Sequence, residues 1–284
     1  MSEEKRICGV CPHRCVLAEG RTGLCRARGM RGGEIVPLNY GIVSSLALDP
    51  IEKKPLARYY PGSRILSAGS FGCNLRCPFC QNWEISASDG EEFLRDGNSY
   101  LSPERLAGLA EELRGRGSIG VAFTYNEPLI GWEYVRDTAK LLRERDLKVV
   151  LVTNGCVNGE IAEQLLPLAD ALNIDLKCFR AETYEKLLGG DLETVKRFIA
   201  RAAENCHVEL TTLIVPGMND SEEEIRELTK WIASLPQGEE IPLHLSRFFP
   251  RYRMLDRRAT ERQSVLRLMG VARESLRWVY PGNL

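Results

Sequence analysis

The sequence predicts an α/β protein that is built as a partial, TIM-like barrel of six βα units, with a small cysteine-rich appendage at its N-terminus. From about residue 64 onward, short apolar runs rich in β-branched residues alternate with amphipathic helical patterns. The connections are short, which is typical of a parallel sheet with right-handed crossovers. The first 60 residues are rich in Gly, Arg and Cys and show little periodicity. Because a closed barrel needs eight units, we expect an open barrel over 61–284 and an appendage over 1–60.

Strands and helices alternate along the predicted barrel. The strands are predicted at 65–70, 120–124, 148–153, 171–176, 208–215 and 242–246. The helices are predicted at 103–116, 132–145, 160–166, 192–204 and 222–234, with a late helix at 260–274 and an edge strand at 276–280. Ser102 stands before Pro103, and Ser221 precedes a Glu-rich turn. Both patterns are typical of helix N-termini.

Composition and charge exclude several classes of protein. The 284 residues carry 38 Lys plus Arg against 39 Asp plus Glu, so the formal net charge is −1. A near-neutral chain is neither a strongly basic nucleic-acid coat nor an acidic disordered tail. No apolar run reaches the length of a membrane span, and the first residues lack the apolar stretch of a secretory signal. We therefore expect a cytoplasmic protein without a membrane partner, and we do not expect nucleic acid as its main partner.

The sharpest chemical signal is a C-x3-C-x2-C triad, Cys73, Cys77 and Cys80, directly after the first predicted strand. Clustered cysteines in a reducing compartment are more often metal ligands than disulfides. Three thiolates on one loop can hold three irons of a 4Fe–4S cluster and leave the fourth iron open. Zinc would need a fourth ligand nearby, and residues 81–83 offer none. The triad therefore predicts a reactive iron–sulfur centre at the strand ends, where such barrels keep their active sites.

The triad, with an aromatic residue, Phe79, before its last cysteine, resembles the signature of the radical S-adenosylmethionine (SAM) superfamily. The resemblance implies that Cys73, Cys77 and Cys80 are catalytic, that Phe79 contacts the cofactor, and that the open iron binds SAM. It also implies that the reduced cluster cleaves SAM to a 5′-deoxyadenosyl radical, which abstracts hydrogen from a substrate. An electron donor such as ferredoxin or flavodoxin follows from the same resemblance.

Later strand ends match the same superfamily. Asn126 and Glu127 stand where relatives carry a Gly-Gly-Glu-Pro motif that receives the SAM amine. Thr153 and Asn154 match an Asp-Thr-Asn-Gly motif, in which Val152 here replaces the Asp that contacts SAM. The resemblance therefore assigns these four polar residues to the SAM side of the barrel.

Two more strand ends resemble the pyruvate formate-lyase activating enzyme. Asp175 and Lys177 match its Asp-Leu-Lys, and His244 matches a histidine that contacts SAM. The alternatives are an ordinary ion pair for Asp175 with Lys177, and a hydrogen-bonded buried histidine for His244. All of these residues fall at carboxyl ends of predicted strands, so we expect them on one rim of the barrel.

The appendage carries a second group of cysteines: Cys8, Cys11, Cys15 and Cys25. Four thiolates are enough for a tetrahedral zinc site or for a second, fully ligated iron–sulfur cluster. The third alternative is thiols that only pack the appendage. Together with the stretches 49–55 and 80–83, this group resembles the AmmeMemoRadiSam-system radical SAM enzymes, which are found beside Memo-like proteins.

The resemblance leaves three functions open. The first is an activase that abstracts hydrogen from a glycine of a partner protein. The second is radical modification of a small molecule or an RNA. The third is a non-catalytic, metal-bound scaffold in an assembly with a Memo-like partner. An activase requires an open barrel mouth, whereas a small-molecule enzyme favours a mouth covered by the appendage.

The segment 247–262 contains six arginines interleaved with Phe248, Phe249 and Tyr252. Such a loop near the barrel rim can bind phosphate, carboxylate or a nucleic-acid strand through bidentate hydrogen bonds and stacking. The alternative is a solvated surface with local ion pairs.

Overall fold

The structure is a computed structural model that describes residues 4–95 and 100–284. Its strands are β1 (Lys5–Ile7), β2 (Val16–Ala18), β3 (Arg28–Arg31), β4 (Glu34–Pro37), β5 (Ser45–Pro50), β6 (Arg64–Gly69), β7 (Ser118–Phe123), β8 (Lys148–Thr153), β9 (Ala171–Asp175), β10 (His207–Ile214), β11 (Leu243–Arg247) and β12 (Val279–Gly282). Its α-helices are α1 (Trp83–Ser86), α2 (Glu91–Arg95), α3 (Pro103–Glu112), α4 (Trp132–Glu144), α5 (Gly159–Leu165), α6 (Ala181–Thr183), α7 (Leu192–Asn205), α8 (Glu222–Ala233) and α9 (Arg262–Ala272). In the described part of the chain, no helix is long and apolar enough to cross a membrane.

Eight strands form the main sheet, in the spatial order β5-β6-β7-β8-β9-β10-β11-β12. Strands β6 to β12 run parallel, and β5 pairs antiparallel with β6. The six predicted strands correspond to β6–β11, each followed by a helix before the next strand, and the late edge strand corresponds to β12. The predicted α/β fold is therefore confirmed.

The two faces of the sheet bury different residues, because successive side chains of a strand point to opposite faces. On the outer face, Leu66, Val121 and Leu151 belong to the main apolar core, which the helices share. The inner face carries a second apolar cluster, to which the segment after β5 contributes two side chains. That cluster consists of Ile51, Leu56, Ile65, Ala122, Val150 and Ala171.

Both edges of the sheet line one cavity, so the sheet curves into a partial barrel. This barrel cavity, of about 600 Å³, is lined by Glu52, Lys53 and Pro55 beyond β5 and by residues 281–283 at β12, together with residues of the strands between them. The guanidinium of Arg58 lies 3.6 Å from the ring centre of Trp278, which joins the two edges directly. Residues 45–50 thus form a strand of the barrel, and residues 51–58, which we call the plug, follow it. The domain boundary near residue 60 stays a prediction.

The appendage consists of two hairpins that pack on the barrel. Strand β1 pairs with β2, and β3 pairs with β4. The guanidinium of Arg28 is buried and donates to both carboxylate oxygens of Glu133 on α4, at 2.8 Å each. A bidentate pair of this kind fixes orientation as well as contact. This ion pair therefore fixes the second hairpin, β3 with β4, on the outer layer of helices.

Candidate active site

The three cysteines of the triad lie on the loop between β6 and α1, and all three side chains line the barrel cavity. Burial raises the pKa of the Cys77 thiol to about 11, although the nearby ammonium of Lys177 opposes this. In the described residues, no three His, Cys, Asp or Glu side chains are arranged to hold a single metal ion. A 4Fe–4S cluster does not require such convergence, because each cysteine binds a different iron. Three free thiols facing one cavity fit the ligand chemistry of that cluster.

Asn126 holds the start of the triad loop. Its side-chain amide donates to the carbonyls of Phe71 and Gly72, at 3.1 Å each, and its Oδ1 accepts the amide of Ser70 at 2.9 Å. These bonds connect the end of β7 to the backbone that leads into Cys73. Asn126 therefore fixes the position of the loop while it lines the cavity.

Tyr125, next to Asn126, has a strained backbone. Its φ is +73°, a left-handed conformation that is rare for bulky residues and clusters at functional sites. It stands directly before Asn126 and Glu127, the residues to which the resemblance assigns the SAM amine. Asn82 donates to its carbonyl at 2.7 Å, and its hydroxyl donates to Asp49 at 2.8 Å. Contacts from the triad side and from β5 thus hold the strained residue in place.

Glu127 connects the end of β7 to the end of β8 by hydrogen bonds. Its buried carboxylate accepts the Thr153 hydroxyl at 2.6 Å, the Asn154 amide at 2.7 Å and the Leu129 amide at 3.0 Å. Burial raises the pKa of Glu127 to about 7, and the three donors only partly oppose it. A carboxylate has about four lone-pair sites, so one site remains for a ligand in the cavity.

The side chain of Asn154 is directed at the triad. Its amide lies 3.6 Å from the sulfur of Cys73 and donates to Asn74 Oδ1 at 3.0 Å, and its own Oδ1 accepts the amide of Cys156 at 2.8 Å. Asn74 also donates to the carbonyl of Cys156 at 2.7 Å. The two asparagines therefore fix the position of Cys73 relative to the end of β8.

Asp175 and Lys177 form an ion pair in the wall of the cavity, with 2.7 Å between Oδ2 and Nζ. Burial lowers the pKa of Lys177, but Asp175 and the neighbouring Cys77 thiol outweigh it, so the net direction is upward. The ammonium therefore stays charged beside the triad. Its positive charge suits thiolate ligands or an anionic group of a bound molecule.

His244 lies in the cavity wall and contacts a buried acid that the sequence analysis missed. Its Nε2 is 2.7 Å from Glu209, and the same carboxylate is 2.9 Å from His207 Nε2. The amides of Ala57 and Arg58 also donate to it, at 2.9 and 2.8 Å. Burial alone would raise the pKa of Glu209, but these four partners lower it to about 2. Glu209 therefore fixes His244 and the plug together.

All eleven residues predicted around the cofactors line the barrel cavity: Cys73, Cys77, Phe79, Cys80, Asn126, Glu127, Thr153, Asn154, Asp175, Lys177 and His244. Several residues of the same wall were not predicted from the sequence: Glu52, Lys53, Gln81, Asn82, Tyr125, Thr211, Ser246 and Asn283. The stretch 49–55 carried a family resemblance without an assigned role, and that signal could have pointed to the first two.

The four appendage cysteines lie away from the barrel cavity. Cys8, Cys11 and Cys25 are buried, and Cys15 is partly exposed. Burial raises the pKa of the Cys11 thiol to about 12, and the nearby thiols of Cys25 and Cys8 add to this rise. None of the four lines the barrel cavity. The appendage cysteines therefore lie near one another in a mostly closed environment.

The comparisons with known proteins agree with this geometry. The family model described as the radical SAM superfamily matches residues 69–232. An uncharacterized protein of Methanocaldococcus jannaschii is 36% identical over 288 residues, which cover 100% of this chain and 83% of that protein. The pyruvate formate-lyase-activating enzyme of Clostridium pasteurianum is 29% identical over 182 residues, which cover 61% of this chain and 71% of that enzyme.

The fold is also similar to a solved structure. A domain of pyruvate-formate lyase-activating enzyme from Bacteroides vulgatus ATCC 8482 matches with a TM-score of 0.51 and 19% sequence identity. The match covers 58% of this chain and 99% of that one. At this identity the likeness supports the fold alone.

Proposed function

This chain belongs to the radical SAM superfamily, and we propose that it is an enzyme that abstracts hydrogen from a partner protein, as a glycyl-radical-type activase. The observation that carries the enzymatic part is the single cavity onto which the triad and the ends of five successive strands, β7 to β11, all open. The volume of about 600 Å³ lies within the range of cofactor pockets, about 300–1,000 Å³.

A 4Fe–4S cluster and SAM are the cofactors that this family implies, and when bound they supply reductive cleavage of SAM and hydrogen abstraction. Cys73, Cys77 and Cys80 would hold three of the irons. Asn126 and Asn154 keep their loop in place. The protein's part is to position the cofactors and to limit the access of water.

The remaining charged residues of the wall suit the amino acid part of SAM. The free acceptor site of Glu127 fits its amine, with Thr153 keeping the carboxylate in place. Lys177, held by Asp175, carries a positive charge that fits a carboxylate. His244 is fixed by Glu209 and faces the same space.

The shape of the mouth favours a protein substrate. No described residue before Glu52 lines the barrel cavity, so the two hairpins of the appendage do not form its wall. Its lining includes Glu52, Lys53 and Pro55 from one edge of the sheet and residues 281–283 from the other. A mouth bordered by two chain segments leaves room for a substrate loop. Radical modification of a small molecule or an RNA is the alternative that the test below separates.

We further propose that the appendage cysteines hold a second iron–sulfur cluster. The electrostatic coupling between these thiols supports a metal site, with zinc as the competing occupant. Among the described residues, no three of these thiols are arranged around one ion, which favours a cluster, in which each cysteine binds a different iron. Counting metals on anaerobically purified protein separates the two: about eight irons indicate a second cluster, whereas about four irons with one zinc indicate zinc. Four irons without zinc would contradict both.

The function is tested by measuring 5′-deoxyadenosine released from SAM by the anaerobically reconstituted, dithionite-reduced protein, with size-fractionated extract of its own organism. Stimulation by the macromolecular fraction that is lost after protease treatment supports the activase. Loss after nuclease treatment points to RNA, and stimulation by the small-molecule fraction points to a metabolite. No 5′-deoxyadenosine from a protein with an intact cluster would contradict the enzyme and favour a scaffold with a Memo-like partner.

A further inference from the structure

The triad loop has an outer side as well as the side that faces the barrel cavity. A second cavity, of about 390 Å³, lies there, and Cys73, Cys77 and Cys80 line it too. This outer cavity lies between the appendage and the basic segment 247–262. A redox centre on this loop is therefore reached from two directions, one from the barrel and one from the protein surface.

The outer cavity is positively charged. Arg26 from the appendage, Arg76 from the triad loop and Arg253 from the basic segment line it, and all three are exposed. Within the described residues, none of these arginines makes an ion pair, and no acidic side chain lines this cavity. Three unpaired guanidinium groups around one cavity form a binding surface for an anionic partner.

The surface is also held rigidly against the triad. The amide of Arg253 donates to the carbonyl of Pro78 at 2.9 Å. The rings of Trp83 and Tyr252 stack with centroids 5.1 Å apart and planes 10° apart. Leu24, 67% exposed, completes an apolar border. Aromatic and arginine side chains in a fixed arrangement are typical of protein interfaces.

The charge changes sign beyond Arg26. The neighbouring cleft is lined by Glu84, Asp89, Glu91 and Glu92, together with Arg26, Trp83 and Tyr252. A partner that docks on the outer cavity therefore meets positive charge over the triad and negative charge beside it. Such a pattern sets the orientation of the partner as well as its affinity.

We propose that the outer cavity is the docking site of a small acidic protein that delivers one electron to the centre on the triad; this rests on the proposed function. The donor is oxidised by one electron and the centre is reduced by one, with no bond made or broken in this chain. The three cysteines favour this partner over a nucleic acid, because an electron donor has to approach the centre closely and a phosphate backbone does not.

The test measures binding of oxidised flavodoxin, an acidic flavin protein, to the anaerobically reconstituted full chain. The double variant Arg26→Gln, Arg253→Gln leaves the triad loop unchanged. We expect its dissociation constant to rise about tenfold, with a weaker dependence on salt, because surface charges govern such encounters. The matched control is Arg116→Gln, Arg143→Gln, which removes two exposed arginines near the opposite end of the barrel.

Release of 5′-deoxyadenosine distinguishes failure of the docking site from failure of the proposed function. Dithionite-driven release of 5′-deoxyadenosine should equal that of wild type in both double variants, whereas release driven by reduced flavodoxin should fall only in the Arg26, Arg253 variant. Unchanged flavodoxin binding in that variant would overturn the docking site, and so would a loss confined to RNA binding. If dithionite-reduced wild type releases no 5′-deoxyadenosine, the proposed function fails whatever the binding shows.

Discussion

The triad cysteines and the appendage cysteines have nearly mirrored spacing and opposite surroundings. Cys73, Cys77 and Cys80 follow C-x3-C-x2-C, and the first three appendage cysteines follow C-x2-C-x3-C. The triad opens onto a cavity on each side of its loop. In the appendage, three of the four thiols are buried and none lines either of these cavities.

This difference supports our proposal of a reactive site at the triad and a structural site in the appendage. A metal centre that keeps an open coordination position can bind a substrate, whereas a fully enclosed one contributes folding energy. The triad also has a positive charge nearby, from Lys177, and two asparagines that fix its loop. Burial is the first cause of the raised pKa of Cys11 and Cys25, as it is of Cys77, so the pKa shifts do not distinguish the two regions. The thiols of the triad are partly exposed, whereas three of the four appendage thiols are buried. The surroundings, more than the spacing, distinguish the two regions.

The largest effect should come from Cys77→Ala. We expect release of 5′-deoxyadenosine to fall to the background rate and iron at the triad to be lost, because two thiolates cannot hold the cluster in place. Circular dichroism and thermal unfolding should stay close to wild type. Cys206→Ala, a partly buried thiol far from both cysteine groups in sequence, is the matched control and should keep the activity. Retained SAM cleavage in Cys77→Ala would refute the active-site assignment.

Cys25→Ser tests the closed region. We expect loss of the metal that we propose for the appendage and a decrease in the free energy of unfolding on the order of 2–4 kcal/mol, because the cysteine is buried and a bound metal would stabilise the fold. Iron at the triad and dithionite-driven SAM cleavage should largely remain. Metal analysis and urea unfolding measure both effects. If this variant loses SAM cleavage as completely as Cys77→Ala, the contrast between the two regions is wrong.

Glu127→Gln tests the buried carboxyl of the open site. The pKa of Glu127 in the folded chain, about 7, lies above its ordinary value of 4.5. The folded state therefore binds the proton more tightly, and this group's contribution to stability falls as pH rises from about 4.5 to 7. We measure the free energy of unfolding of the metal-free chain with urea at pH 5 and at pH 7.5. From the lower to the higher pH, this free energy should decrease less in the variant than in wild type.

The control for this comparison is Glu112→Gln, an exposed carboxyl, which should follow the wild-type pH dependence. If the free energy of unfolding decreases equally in wild type and Glu127→Gln between pH 5 and pH 7.5, Glu127 does not titrate in this range.

The smallest effect should come from His13→Ala, which probes a contact between the two regions. His13 Nε2 donates to the carbonyl of Asn74 in the triad loop at 2.8 Å. Loss of one partly buried hydrogen bond should lower the free energy of unfolding by about 1 kcal/mol. Iron content at the triad should not change. A large loss of triad iron would show that the appendage holds the active loop in place.

Sequence patterns predicted the parts of the site that depend on local structure. The triad follows β6, Glu127 follows β7, and Asn154 and Asp175 lie at the ends of β8 and β9. His244 was expected at a strand end as well, but it is the second residue of β11 and lines the cavity from within the strand. Because parallel strands place their carboxyl ends at one rim, reading the strands was enough to bring these side chains together. Glu209 was missed because an acid inside a predicted buried strand shows its partners only after folding.

The sequence by itself determined the alternation of strands and helices, the parallel sheet and the cysteine triad, since these follow from periodicities of a few residues. Only the tertiary structure decided how the barrel closes. Arg58 meets Trp278, and Glu209 binds the amides of Ala57 and Arg58, across long stretches of chain. Such contacts leave no local pattern, because each depends on the curvature of the whole sheet. Tertiary packing also decided that the triad thiols line two cavities while three of the four appendage thiols are buried.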